Sequence, residues 1–246
     1  MAASFGRSGQ RNAQDLGRVP PIMTVRYPVN DCYTCVQGEG VQTGMAMVLL
    51  RLHGCDVGCP WCDTKETWAF DTANERETLP AALGANGRFC YQTAEQITDY
   101  IVAHNPGPKW VLVTGGEPAH YDLRELVESL HERGYKAALE TSGTETGHLG
   151  ADFDWVCVSP KLDMPGGKVV QSAVISSAHE IKHVVGIQRD IDRLDTLLSE
   201  NKLRPDVQLC LQPVSTSPKA TQLCLEAVQA RGWRLSIQMH KYIGER

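Results

Sequence analysis

The chain has 246 residues, of which 42% are apolar and 22% charged, with a formal net charge of −5 and nine cysteines. That size and balance predict one ordinary α/β domain or two small ones. They argue against a nucleic-acid partner, whose footprint is normally basic, and no apolar run approaches the ~20 residues of a membrane span. Nine cysteines without a secretory signal predict a reducing, cytoplasmic setting.

Residues 1–23 hold Arg7, Arg11 and Arg18 among Ser, Gly, Gln and Asn, with little that packs. They are expected to be a disordered or non-native leader, with Met23 as the working start. No Pro/Ser/Gly linker divides residues 24–246, which predicts a single domain there. The first predicted strand is the apolar run at residues 47–52, and a cysteine-rich loop follows at once. Residues 70–92, with mixed charge, Pro80, Gly84 and Gly87, read as an irregular insertion. Thr93 and Gln96 suit a capping box for a helix to about Asn105, with Ile97, Ile101 and Val102 on its apolar face.

Further strands are predicted at residues 110–114, 136–140, 155–158, 180–185, 207–212 and 234–238. Helices are predicted near 121–133, 190–200 and 218–230. Continuous apolar strands alternating with helices mean a parallel sheet covered on both faces. About six such strands are too few for a complete eight-unit barrel, so the expected architecture is a partial, splayed (β/α) barrel. Chemistry in such folds collects at the carboxyl ends of the strands. The unusual polar residues fall there: the cysteine loop, Thr114-Gly-Gly-Glu-Pro118, Glu140-Thr-Ser-Gly143, Ser159-Pro-Lys161, Gln212-Pro213 and Gln238-Met-His240.

The cysteine loop, Cys55-Asp-Val-Gly-Cys59-Pro-Trp-Cys62, carries three thiols rather than four. Clusters built only for electron transfer are usually closed by four cysteines. Three sulfurs suit a 4Fe-4S cluster that leaves one iron open to a small molecule. Zinc, with His53 as a fourth ligand, is the competing reading of the same residues. Cys32, Cys35, Cys90, Cys157, Cys210 and Cys224 are scattered and read as buried thiols.

The C-x3-C-x2-C spacing, followed one strand–helix–strand unit later by Gly115-Gly116-Glu117-Pro118, resembles the radical S-adenosylmethionine (radical SAM) enzymes. The resemblance implies that SAM binds the open iron and yields a 5′-deoxyadenosyl radical, with the Gly-Gly-Glu turn receiving its methionine ammonium. Gln37-Gly-Glu-Gly40, Arg51, Cys62-Asp-Thr-Lys65, Val158-Ser-Pro-Lys161 and the end Trp233–Tyr242 narrow it further. Together, in order over residues 25–243, these resemble the 7-carboxy-7-deazaguanine synthases of queuosine biosynthesis.

Those enzymes are lyases that convert 6-carboxy-5,6,7,8-tetrahydropterin to 7-carboxy-7-deazaguanine with loss of ammonia. The resemblance implies cluster ligation by Cys55, Cys59 and Cys62, and a Mg²⁺ ligand at Thr64. It places SAM against Trp61, Cys62, Asp63, Gly115, Gly116, Glu117, Ser159, Pro160 and Lys161. It assigns substrate contacts to Val36, Gln37, Gly38, Glu39, Arg51 and Thr114, and catalytic positions to Glu140 and His240. It also implies a homodimer and an electron donor such as flavodoxin or ferredoxin. Two positions depart from the family pattern: Met239 stands where threonine is usual, and Cys35 where a neutral residue is. An activase that places a glycyl radical on a partner protein, and a zinc-stabilised binding module, are the competing functions.

Overall fold

The computed structural model describes residues 24–84 and 87–244, so the expected leader at 1–23 lies outside the described residues. Nine strands form one sheet in the order β3-β1-β2-β4-β5-β6-β7-β8-β9. β2 (Ala46–Leu52), β4 (Trp110–Gly115), β5 (Lys136–Thr141), β6 (Trp155–Val158), β7 (Glu180–Val185), β8 (Gln208–Pro213) and β9 (Arg234–Leu235) run parallel. The parallel part is the expected open barrel: six strands of four to seven residues plus the two-residue β9.

β1 (Arg26–Val36) and β3 (Cys90–Thr93) extend the sheet by antiparallel pairing, β1 on β2 and β3 on β1. Neither was expected, since the sequence reading began the sheet at residue 47. β1 escaped because Asn30 and Asp31 interrupt its apolar pattern, yet both are buried. The segment read as an irregular insertion bonds to both: Asn30 Nδ2 donates to Arg88 O at 2.6 Å, leaving the buried Oδ1 without a partner among the described residues, and Gly84 N donates to Asp31 Oδ1 at 3.3 Å. That segment also contains the short helix α1 (Leu79–Ala82). At the other edge, the strand expected over 234–238 stops at Leu235; Ser236 N still donates to Leu211 O at 2.9 Å, and its hydroxyl bonds Gln212 Oε1 and Gly40 N.

Helices α2 (Ala94–His104), α3 (Arg124–Glu132), α4 (Ser172–Ser177), α5 (Gln188–Glu200) and α6 (Pro218–Arg231) follow their strands, and α7 (His240–Ile243) ends the described chain. The capping box at α2 forms as predicted, Thr93 Oγ1 accepting from Gln96 N at 3.2 Å and Gln96 Oε1 from Thr93 N at 2.9 Å. Val102, however, is exposed, and Thr98 takes the place on the buried face beside Ile97 and Ile101. Among the described residues, no helix is long and apolar enough to cross a membrane.

Side chains alternate across a strand, and here the alternation separates two environments. Val48, Leu50, Leu52, Val111, Val113, Leu139, Val156, Val158, Ile181 and Val185 point outward into the core shared with the helices. The opposite face carries Leu49, Arg51, Leu112, Thr114, Glu140, Ser159, Lys182, Val184 and Gln212 into a cavity inside the barrel. Register sets Arg51 level with Thr114 and Val184 level with Gln212 on this face.

Candidate active site

The cavity measures about 580 Å³ and is reached by every site residue expected from the sequence except Pro160. Pro160 faces an adjoining space of about 310 Å³, which it shares with Trp61, Val184 and His183. All three cysteines of the loop open onto the main cavity, and no disulfide joins them. His53 does not: it is fully buried, stacked on Phe89, and its Nε2 contacts Ala69 O at 2.9 Å. The zinc reading that enlisted it as a fourth ligand therefore lacks that ligand.

Glycine is required where the cysteine loop meets the end of β4. Gly116 N donates to Leu52 O at 2.9 Å and Glu117 N to Gly54 O at 2.8 Å. A Cβ on Gly116 would lie 2.2 Å from Gly54 O, and one on Gly115, whose φ is +119°, would lie 2.3 Å from Leu52 O. Only two bare backbones can lie this close. The Glu117 carboxylate is buried and largely engaged, accepting from Ala119 N (3.0 Å), Thr141 Oγ1 (2.6 Å) and Ser142 N (2.7 Å). It thus joins the ends of β4 and β5, and any ligand ammonium must share oxygens already in use.

A polar network spans the opposite wall. Lys182, with only 4% of its side chain exposed, lies 2.6 Å from Glu39 Oε2 and 2.8 Å from Glu140 Oε1. Gln238 donates to Glu39 Oε1 (2.9 Å), Gln37 to Glu140 Oε1 (3.3 Å) and Thr114 to Glu140 Oε2 (3.4 Å). Burial alone would raise the Glu39 pKa, but the Lys182 ammonium, with Gln238 and Gln212, outweighs it and holds the carboxyl at about 2. Burial likewise works against the Lys182 charge, and the two carboxylates override it and push its pKa well above the usual lysine value. Lys182 was not foreseen, although a lysine inside a strand with Ile181, Val184 and Val185 was the available signal.

The C-terminal segment closes one side. Met239 N donates to Gly38 O at 2.9 Å, and a Cβ on Gly38 would meet His240 Nδ1 at 2.8 Å. Lys241 pairs with Asp63 at 3.3 Å, beside the last cysteine. Arg51 projects from β2 next to Tyr33, whose pKa burial raises and the guanidinium partly restores. Thr64 occupies the N-cap of a short 3-10 turn, but its side chain makes no cap bond, and its hydroxyl sits 3.8 Å from Cys62 Sγ. Cys35 lines the cavity floor with Leu112, packed among Met47 and Ala138.

The family model described as a 4Fe-4S single cluster domain matches residues 36–165. The 7-carboxy-7-deazaguanine synthase of Escherichia coli (strain K12) is 40% identical over 223 residues, 89% of this chain and 99% of that one. The chain belongs to the 7-carboxy-7-deazaguanine synthase family. Its Synechocystis sp. relative of that name is 33% identical over 232 residues, 94% of this chain and 99% of the relative. The crystal structure of QueE from Escherichia coli superposes with a TM-score of 0.81 at 40% identity, covering 87% of this chain and 95% of that one.

As a member of this family the chain is a radical SAM lyase that uses a 4Fe-4S cluster and SAM. The donor set fits the cluster. Cys62 Sγ already accepts two N–H bonds, from Thr64 N and Trp68 Nε1, both at 3.4 Å. Such donors stabilise a charged sulfur ligand. Burial pushes the Cys55 thiol up to about 11, and raises Cys59 too, against the pull of Lys161. Iron must therefore displace protons as it binds.

Proposed function

We propose that this cavity converts 6-carboxy-5,6,7,8-tetrahydropterin to 7-carboxy-7-deazaguanine with release of ammonia, in the cytoplasm, as a step of queuosine biosynthesis. The carrying observation is one cavity with three cysteine thiols on one side and the Glu39–Lys182–Glu140 network on the other. Cys55, Cys59 and Cys62 would hold the cluster; Trp61, Asp63, the Gly115–Glu117 turn, Ser159 and Lys161 would seat SAM, with Pro160 behind them. Once bound, these groups supply one-electron cleavage of the sulfonium, the source of the radical that takes hydrogen from the substrate.

The chain's own residues place the substrate. Arg51 receives its carboxylate through a planar guanidinium suited to bidentate pairing. Glu39, kept ionised by Lys182, accepts the guanidine-like N–H groups of the pterin, beside Val36, Gln37 and Gly38 on the same wall. Thr114 and Glu140 meet the ring across the β4–β5 ends. His240, held over Gly38, faces the carboxylate side. The Thr64 hydroxyl offers a hard oxygen to Mg²⁺, which takes few protein ligands and completes its shell with water and substrate oxygens. A flavodoxin or ferredoxin supplies the electron, and the working form is a homodimer.

The test is an anaerobic reaction of reconstituted, reduced protein with SAM, Mg²⁺ and 6-carboxytetrahydropterin, read by mass spectrometry for 7-carboxy-7-deazaguanine. Product formation is expected without any partner protein substrate, which also excludes the activase reading. Neither product nor 5′-deoxyadenosine from protein carrying an intact cluster would refute it.

A further inference from the structure

Between β6 and α4 the chain crosses the cysteine loop and touches it backbone to backbone. Gly166 N donates to Val57 O at 3.1 Å. A Cβ on Gly166 would lie 2.0 Å from Asp56 O and 2.8 Å from Val57 O, while one on Gly58 would meet Gly166 N at 3.3 Å. Gly166 is not among the glycines with positive φ, so space rather than backbone conformation excludes a side chain there.

Two residues on, Lys168 fastens the crossing. Its Nζ lies 2.6 Å from Asp56 Oδ2 and 3.0 Å from Glu145 Oε1. His120 Nε2 approaches the same two carboxylates at 3.1 and 3.4 Å. Four segments meet here: the cysteine loop, the 3-10 turn Pro118–His120 after the Gly-Gly-Glu-Pro turn, the β5–β6 connection and the crossing strap. Asp56, His120 and Glu145 bring their ligand atoms within 4.8 Å of one another, a spacing that would suit a metal ion. The Lys168 ammonium already sits against both carboxylates and supplies the positive charge. Exposed ion pairs of this kind contribute little to stability one by one. Their consequence is geometric, because Asp56 directly follows the first cysteine of the loop.

We infer that residues 164–168 form a backing strap in which Gly166 and Lys168 are positioning residues, holding Cys55 and Cys59 in the geometry that retains the iron–sulfur cluster. This rests on the reading that the three cysteines bind that cluster. Groups that orient metal ligands typically change metal affinity by roughly 10–100-fold when altered.

The experiment reconstitutes wild type, Gly166→Ala, Lys168→Met, Lys168→Arg and, as a control, Gly107→Ala, where a Cβ meets nothing within 4 Å. Loss of cluster absorbance after addition of an iron chelator is timed anaerobically, and the reduced cluster is recorded by electron paramagnetic resonance. Gly166→Ala is expected to lose its cluster roughly tenfold faster or more, with an altered spectrum. Lys168→Met should lose it several-fold faster, Lys168→Arg should restore wild-type retention, and Gly107→Ala should match wild type. Lys168 is on the surface, so this pair decides the matter even if Gly166→Ala fails to fold. Equal retention and spectra across all variants of a loaded protein would overturn the strap alone. A wild type that takes up no cluster would overturn the cysteine assignment and the strap with it.

Discussion

Replacing Lys182 by methionine keeps most of the side-chain volume and removes the charge between Glu39 and Glu140. Both carboxylates then remain in the wall without the cation they pair with, at side-chain exposures of 17% and 24%. Removing one partner of a buried pair typically costs about 3–5 kcal/mol. The same network is seen from Glu39, whose carboxyl is held at about 2 against an ordinary 4.5. At ~1.4 kcal/mol per pKa unit that depression is on the order of 3 kcal/mol, a net of burial against Lys182, Gln238 and Gln212 that overlaps the first figure and is not to be added to it. A depressed carboxyl stabilises the fold above its unfolded pKa, and the contribution fades as pH falls from about 4.5 towards 2. Chemical unfolding of wild type and Lys182→Met at pH 7 should therefore differ by about 3 kcal/mol or more, and the gap should close as the pH is lowered. Adding Glu39→Gln and Glu140→Gln should recover part of the loss, because the unpaired charges are then gone. A difference below about 0.5 kcal/mol at pH 7 would show that the network carries no such strain and would refute the reasoning.

Gly116→Ala forces a Cβ to within 2.2 Å of Gly54 O; it should cost about 1–3 kcal/mol and lower SAM affinity, and wild-type binding by calorimetry would count against the backbone clamp. Arg51→Lys loses the planar fork and should raise the KM for 6-carboxytetrahydropterin roughly tenfold, from ~1.4 kcal/mol of charge-assisted bonding, with the cluster spectrum unchanged. An unaltered KM would remove Arg51 from the carboxylate site. Burial lowers the pKa of His148 and His183 to about 4. The unfolded chain takes up protons below about 6.5 that the folded chain refuses, so stability should fall between pH 6.5 and 4. His148→Gln should flatten that slope in urea titrations, and an unchanged slope would contradict the assignment.

Much of this was visible in the residues before any folding. The three-cysteine loop and the Gly-Gly-Glu-Pro turn are local, so spacing alone announces them. The parallel strands are legible because buried strands are written as continuous apolar runs, and a capping box such as that of Thr93 and Gln96 is a contact three residues apart. Placing chemistry at strand ends then gathered residues from 36 to 240 into one site.

What stayed hidden depends on partners distant in sequence. β1 runs through Asn30 and Asp31, two polar residues that break its apolar pattern, because each finds a hydrogen-bond partner in residues 84–88. The Ser236 hydroxyl accepts from Gly40 N, 196 positions away in the chain. Lys182 is an unremarked lysine until folding sets Glu39 and Glu140 on either side of it. Gly166 is one glycine among 22 until its backbone lies against Asp56 and Val57. Spacing along the chain specifies groups that act within a few residues of one another. Charges and backbones that must meet across the barrel acquire their meaning only when the sheet closes the distance between them.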